Sequence, residues 1–359
     1  MTSSGSKRGK RRQVTIGDIA RHLEISKATV SLALNNSPLV AEATKQRVVE
    51  VAEQVGYRPN YFGARLSRGK SDMIGLYILG GEAGRCNWAR PSSWMFYNPI
   101  LRAVSTELSM HGYRCNLEVV SVEQVTKQKV ISSVIGEGSL DGMLLVVQDD
   151  IDYSFLDIVE ERQFPFVVLN ADVSPDISSV KVDNDWGARK IVEHLAGQGH
   201  RRIAHLGGPR GDSNARERRD GFTRAVMDLQ LHHDPALIQY GDWQRMSGYE
   251  LVGHFLDLDH PPSAIFCAND HMAIGAMQRL QEEGRRVPEE VSVVGYDDTE
   301  MCQIVAPNLT TVRQPLELMG ELGAGEVLRQ IEEEEKRSAI HTNLEPQLIV
   351  RESTAGITQ

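Results

Sequence analysis

The stretch VTIGDIARHLEISKATVSLALNNSPLVAEATKQRVVEVAEQVGYRPN, residues 14–60, places apolar side chains at helical spacing in three short segments. The first is predicted over about Thr15 to Leu23, with Thr15 as N-cap and Asp18 favouring the helix dipole. The second opens at Ser26 and turns Val30, Ala33 and Leu34 inward. The third, Ala41 to Val55, is expected to bury Val48, Val49 and Ala52 before Gly56 stops it. The short break between the first two is helix-turn-helix spacing, in which the second helix enters the major groove. A generic three-helix bundle shares that pattern, so the surrounding chain has to decide.

Charge alone leaves a nucleic-acid module and a merely solubilising basic tail close, and the motif inside the head decides. The 359 residues carry a net −10, yet residues 1–70 hold 13 Lys/Arg against 5 Asp/Glu, or +8, and the remainder is −18. A basic head on an acidic body is the footprint of a DNA module joined to a domain that avoids DNA. Residues 1–13 read as a basic arm without the apolar stretch of an export signal. No apolar run approaches the roughly 20 residues of a membrane span. Cys86, Cys115, Cys267 and Cys302 are widely spaced with no C-x-x-C pair, the pattern of inert thiols in a reducing cytoplasm rather than of disulfides or zinc. No cofactor motif stands out.

Residues 14–60 resemble, nearly position by position, the DNA-binding headpiece of the lactose-repressor (LacI/GalR) family, and the resemblance runs on to about Thr354. It implies that Lys27, Ala28 and Leu32 face base edges, while Thr15, Ser26, Thr29 and Asn35 hydrogen-bond phosphates. Two departures follow. Leu32 stands where the family usually has Arg, so a bidentate contact to guanine is replaced by one suited to a thymine methyl. Glu24 stands where the interhelical turn usually has Gly, which predicts a strained backbone there. RPNYFGARLSRGK then resembles the family's hinge helix, with Leu66 as the wedge between base steps and Arg65 beside phosphates; Gly63 leaves a plain linker as the alternative.

Beyond Ser71, apolar runs alternate with amphipathic ones. MIGLYIL, CNLEVV, GMLLVV, FVVLN, RIAHLGG, AIFCAN and VSVVGYD read as strands, and Ile100–His111, Asp185–Gln198, Ala215–Leu229, Met246–Leu256 and Asp270–Glu283 as helices. Such alternation predicts doubly wound parallel sheets whose ligands sit at the strands' C-terminal ends. The residues there are polar: Asn170, Asn269-Asp270 and Asp297-Asp298, with Arg218 and Trp243 at comparable positions. Singly each suits a helix cap; together they suit the hydroxyls and C–H face of a sugar.

The resemblance implies an α/β core like the periplasmic binding proteins, with effector contacts from Arg218, Trp243, Asn269 and Asp297, and with Asn170 replacing a common Asp. It aligns Phe96 and Tyr97 with a pair of aromatics that stack on effectors; the long 80–99 loop adds Trp88 and Trp94, equally suited to an enlarged pocket or a covered surface.

The expected organisation is an all-α helix-turn-helix headpiece (14–58), a hinge (59–71), and a core of two doubly wound lobes (72–354). The first lobe is placed at about 72–170 plus 310–331 and the second at 171–309 plus 332–354. The implied protein is a cytoplasmic homodimeric repressor binding palindromic operator DNA under control of a small effector, a sugar by resemblance. A purine, sugar phosphate or protein corepressor is the alternative. No enzyme motif appears, and a periplasmic receptor would carry an export signal in place of the basic head.

Overall fold

A computed structural model describes residues 14–34, 36–57, 70–79, 91–120, 138–147, 155–333 and 338–357. The basic arm, Asn35, the hinge with Arg65 and Leu66, Cys86, Trp88 and most of the 80–99 loop lie outside the described residues. The chain divides into two compact units, residues 1–69 and 70–359.

The first unit holds α1 (Ile16–Leu23), α2 (Lys27–Leu34) and α3 (Glu42–Gln54). They enclose Ile19, Ala20, Val30, Ala33, Val40, Val48, Val51 and Ala52. Val49, expected inside, is 45% exposed, and Val51 takes its place because the buried stripe of α3 runs Val48, Val51, Ala52. Asp18 accepts from both the backbone N–H and the hydroxyl of Thr15 at 2.8 Å, fixing the start of α1. Glu24 adopts φ 55°, the left-handed turn that glycine would take without strain. Gly56, at φ 66°, ends α3 as expected.

The second unit contains a six-stranded parallel sheet in the order β11-β5-β4-β3-β1-β2 and a four-stranded parallel sheet in the order β7-β6-β8-β9. The first combines β1 (Met73–Leu79), β2 (Arg114–Val120), β3 (Gly142–Val147), β4 (Phe166–Leu169), β5 (Ser179–Val182) and β11 (His341–Leu344). Alternate residues of β1, namely Ile74, Leu76 and Ile78, pack with α4 (Pro91–Met110) and α10 (Leu316–Glu332). Tyr77 and Leu79 face the other way, toward α5 (Phe155–Glu161). Both faces are thus covered, as a parallel sheet requires.

The second sheet combines β6 (Ile203–Gly207), β7 (Ile238–Tyr240), β8 (Ala264–Cys267) and β9 (Ser292–Val294). It lies between α6 (Asn184–Gly197) with α7 (Ser213–Asp228) on one face and α8 (Arg245–Leu256) with α9 (Asp270–Glu282) on the other. β10 (Thr311–Arg313) and β12 (Gln347–Ile349) pair antiparallel beside it.

These pairings move the lobe boundaries. β5 and β11 hydrogen-bond within the first sheet, so residues 171–182 and 338–344 belong to the first lobe. Residues 310–313 bridge to Val294 and Asp297 and belong to the second. The chain crosses between lobes after Val182, after Arg313 and after Leu344. α4 also starts earlier than Ile100, because Pro99 is accommodated inside the helix instead of marking its start. No helix of the described residues is long and apolar enough to cross a membrane.

Candidate functional site

Each strand of the second sheet delivers a polar or aromatic residue at its C-terminal end. Asp212 follows β6, Trp243 follows β7, Asn269 follows β8 and Asp297 follows β9. They converge around Arg218, on the second turn of α7, which is 3% exposed. Its Nε donates to Asn184 Oδ1 at 2.9 Å and its Nη1 to the Ala268 carbonyl at 2.5 Å. Asp297 Oδ1 lies 3.6 Å from Nη1. The guanidinium stands 3.8 Å from the ring centre of Tyr296 and 5.5 Å from that of Trp243. A cation lying over aromatic faces and held by fixed acceptors is pre-organised to hold a polar ligand.

Asn269 behaves as the cap its position allows. Its Oδ1 accepts from Met272 N at 2.9 Å, and its amide donates to the Trp243 carbonyl at 2.9 Å. Asp212 caps α7 through Ala215 N and also accepts from Trp243 Nε1 at 3.2 Å. Trp243 is thereby clamped at both ends, with its ring over Gly208, where a Cβ would lie 2.5 Å from the indole. Gly208 is required for that approach.

Asp297 accepts from Gln314 Nε2 at 2.7 Å, a link to the second lobe crossing. Burial pushes its carboxyl up to about 7, against the pull of Arg218 and reinforced by Asp270. Asp270 is itself pushed up to about 6 by burial while accepting from Thr311 Oγ1 and Thr299 N, which makes it a loop anchor. Asp298 is occupied by Arg313 and Arg351 at 2.6 and 2.5 Å and is likewise structural.

From the first lobe, Asn170 ends β4 with φ 68° and donates its amide to the Val147 carbonyl at 2.9 Å. Its Oδ1 and the Oε1 of Gln314 are buried acceptors with no partner among the described residues. Phe96 and Tyr97 pack edge to face at 5.3 Å inside the first-lobe core, whereas the Arg218 cluster is built from second-lobe and crossing residues. Sequence reasoning missed Asn184, Tyr296 and Gln314. The only signal for them was adjacency, to the β5 run, to Asp297 and to Pro315 respectively.

On the headpiece, Ser26 Oγ accepts from Thr29 N at 3.0 Å and caps α2. Thr15, Lys27, Ala28 and Leu32 are exposed, Leu32 at 38%, while Val30 and Ala33 of the same helix are buried. The exposed face of α2 therefore offers one cation and two apolar groups. Among the described residues no group of His, Cys, Asp or Glu is placed to hold a metal ion. Burial pushes the Cys267 and Cys302 thiols up, away from the reactive thiolate.

Residues 15–60 match the family described as bacterial regulatory proteins, lacI family, and residues 192–354 match the periplasmic binding protein-like domain. The chain is 35% identical over 350 residues to the "Probable HTH-type transcriptional repressor ExuR" of Bacillus subtilis strain 168, covering 96% of this chain and 99% of that one. Among solved structures it is similar to the lac repressor dimer bound to operator and the anti-inducer ONPF, at 28% identity and a TM-score of 0.82 over 96% of this chain and 100% of the other. It is also similar to the transcriptional regulator CelR in complex with cellobiose, at 30% identity and a TM-score of 0.69 over 95% and 100%. With a helix-turn-helix headpiece and a two-lobed binding core, the chain belongs to the LacI family of bacterial transcriptional regulators.

Proposed function

We propose that this protein is a cytoplasmic homodimeric repressor that binds a palindromic operator and releases or grips it according to a sugar held between its lobes. The observation that carries the effector half is Arg218. A buried guanidinium, fixed by Asn184 and Ala268 and flanked by Tyr296, Trp243 and Asp297, is a costly arrangement whose use is to bind a polar ligand. Asp297 and Arg218 take adjacent hydroxyls, Trp243 covers the C–H face, and Asn170 accepts from a further hydroxyl. Phe96 and Tyr97, which pack within the first-lobe core, are assigned to the first-lobe wall on the resemblance alone. Asn269 serves by holding Trp243. The cellobiose complex of the similar CelR supports the sugar class.

On DNA, Lys27, Ala28 and Leu32 read base edges, and Thr15, Ser26, Thr29 and Asn35 contact phosphates. Arg65 and Leu66 act in the minor groove. The operator-bound dimer of the similar lac repressor supports this half. The protein turns nothing over: its role is to shift between two lobe arrangements.

A second reading, a sugar phosphate, draws support from Asp297. A carboxyl pushed up to about 7 is partly protonated near neutrality and repels an anion less than an ordinary aspartate. The test is a thermal-shift panel of cellobiose, D-glucose, D-galactose, D-ribose and their phosphates on the full chain, followed by operator binding with the hits. Arg218→Ala is expected to abolish both the shift and the operator response. An undiminished response in that variant removes the assigned site.

A further inference from the structure

A second group of charges, Lys181, Glu217 and Asp172, borders the Arg218 cluster. Lys181 lies on β5 of the first lobe, and Glu217 on α7 of the second. Lys181 Nζ reaches Glu217 Oε1 at 2.9 Å across the lobe boundary, and Asp172 Oδ1 of its own lobe at 2.6 Å. The Lys181 and Glu217 side chains are 21% and 22% exposed, whereas Asp172 is 73% exposed. Glu217 Oε2 accepts from Asn184 Nδ2 at 3.1 Å, and the same amide donates to Asn214 Oδ1 at 2.8 Å. Asn184 Oδ1 in turn accepts from Arg218 Nε at 2.9 Å. One unbroken run of polar contacts therefore joins a strand of the first lobe to the guanidinium of the second.

The chemistry of Asn184 makes this run directional. An amide has one acceptor end and one donor end. Glu217 and Asn214 occupy the donor end, so the acceptor end can face only the guanidinium. Glu217 shares the donor end with Asn214 of its own helix, and the cation that holds the Glu217 carboxylate comes from the other lobe.

We propose that Lys181 and Glu217 are a lobe-to-lobe positioning pair. With the lobes together, Lys181 holds Glu217, Glu217 orients Asn184, and Asn184 aims Arg218, so lobe closure and effector grip are one event. Asp172 supplies what a reversible latch needs. When the lobes part, Lys181 keeps a carboxylate partner in its own lobe, so the two arrangements differ little in energy and a small ligand can shift between them. The inference rests on the effector reading of Arg218 for its binding arm only.

The test uses full-length protein and three variants: Lys181→Met, Glu217→Gln and the double variant, with Lys181→Arg as the conservative control. Amide hydrogen exchange is followed at the crossing segments, where Asp183 N–H donates to the Leu344 carbonyl at 2.9 Å. Each single variant is expected to speed exchange there by about tenfold, within the roughly 5–150-fold range of coupling between sites. Lys181→Arg is expected to restore protection. Because Lys181 acts through Glu217, the double variant should be no faster than either single one. For every sugar of the panel that the wild type binds, the single variants should weaken binding by a similar factor. Unchanged exchange at the crossings overturns the proposal, as does additivity in the double variant or a lowered melting temperature with unaltered binding. If no panel sugar binds the wild type, the effector reading falls and the exchange measurements still decide the latch.

Discussion

Replacing Asp297 by Asn should stabilise the core while removing its ligand response. The carboxyl is pushed from 3.8 up to about 7, chiefly by burial. Between those values the folded chain binds a proton that the unfolded chain has released. Stability therefore falls as pH rises from about 4 to 7 and levels off above that. At ~1.36 kcal/mol per pKa unit the full effect is at most about 4 kcal/mol, and relaxation of the site should reduce it to roughly 1–3 kcal/mol. Asparagine keeps the acceptor for Gln314 Nε2 and carries no charge to desolvate. Arg218 loses a 3.6 Å ion pair but retains Asn184 and the Ala268 carbonyl. The assay is urea unfolding of the full chain at pH 4.5, 6 and 8, read by tryptophan fluorescence. All four tryptophans, Trp88, Trp94, Trp186 and Trp243, lie beyond residue 70, so the signal reports the core alone. The Asp297→Asn variant should match the wild type at pH 4.5 and exceed it at pH 8, with no thermal shift from any panel sugar. A stability difference that is the same at pH 4.5 and pH 8 would refute the reasoning.

Glu24→Gly relieves a left-handed residue at φ 55° and should stabilise the headpiece by about 0.5–1 kcal/mol, slowing exchange of the Ile25 amide bonded to Ala20. Gly275→Ala would put a Cβ 1.9 Å from the Arg245 carbonyl oxygen, forcing α8 and α9 apart at a cost of about 1–3 kcal/mol or more in urea unfolding. Gly253→Ala, with nothing within 4 Å of the added atom, should instead gain roughly 0.5–1 kcal/mol. Leu32→Arg should add a preference for guanine of about 1–3 kcal/mol at one position of each half-site, read by selection from randomised operators; an unaltered preference would remove Leu32 from the base-reading face.

Much of the fold is legible because it rests on local pattern. β1 and β3 coincide with the apolar runs MIGLYIL and GMLLVV. β5 and β7 escaped notice because SVKV and IQY are short, and Lys181 interrupts the apolar character of the first. That lysine bridges the lobes, so the residue that hid the strand also marks the boundary. Asn269 and Asp297 stand at strand ends, which pattern alone locates, whereas Arg218 lies inside α7 and is singled out by the resemblance. Asn184 and Gln314 were not legible, since their roles depend on partners 34 and 17 residues away that only the folded lobes bring near. Val49 against Val51 shows the same limit on a smaller scale: two valines of one helix differ by the face that the neighbouring helices cover.

Several energetic costs gather around the Arg218 cluster and the neighbouring lobe crossings. Asn170, Trp243 and Asp297 have φ values of 68°, 68° and 118°, conformations that cost non-glycine residues of order 1–3 kcal/mol each. Asn170 Oδ1 and Gln314 Oε1 are buried acceptors without a partner among the described residues, and Asp297 is a desolvated carboxyl. A core selected for stability alone would shed these features, since glycine, an apolar side chain or an uncharged amide in place of the carboxylate would each relieve one. The unpartnered acceptors and the buried carboxyl, unlike the backbone strain, share one remedy: a ligand that donates hydroxyl hydrogens to Asn170, Gln314 and Asp297 would satisfy them. Such a ligand gains affinity without new strain, and the gain depends on the lobes standing close enough for both to reach it. That dependence makes a binding site into a switch.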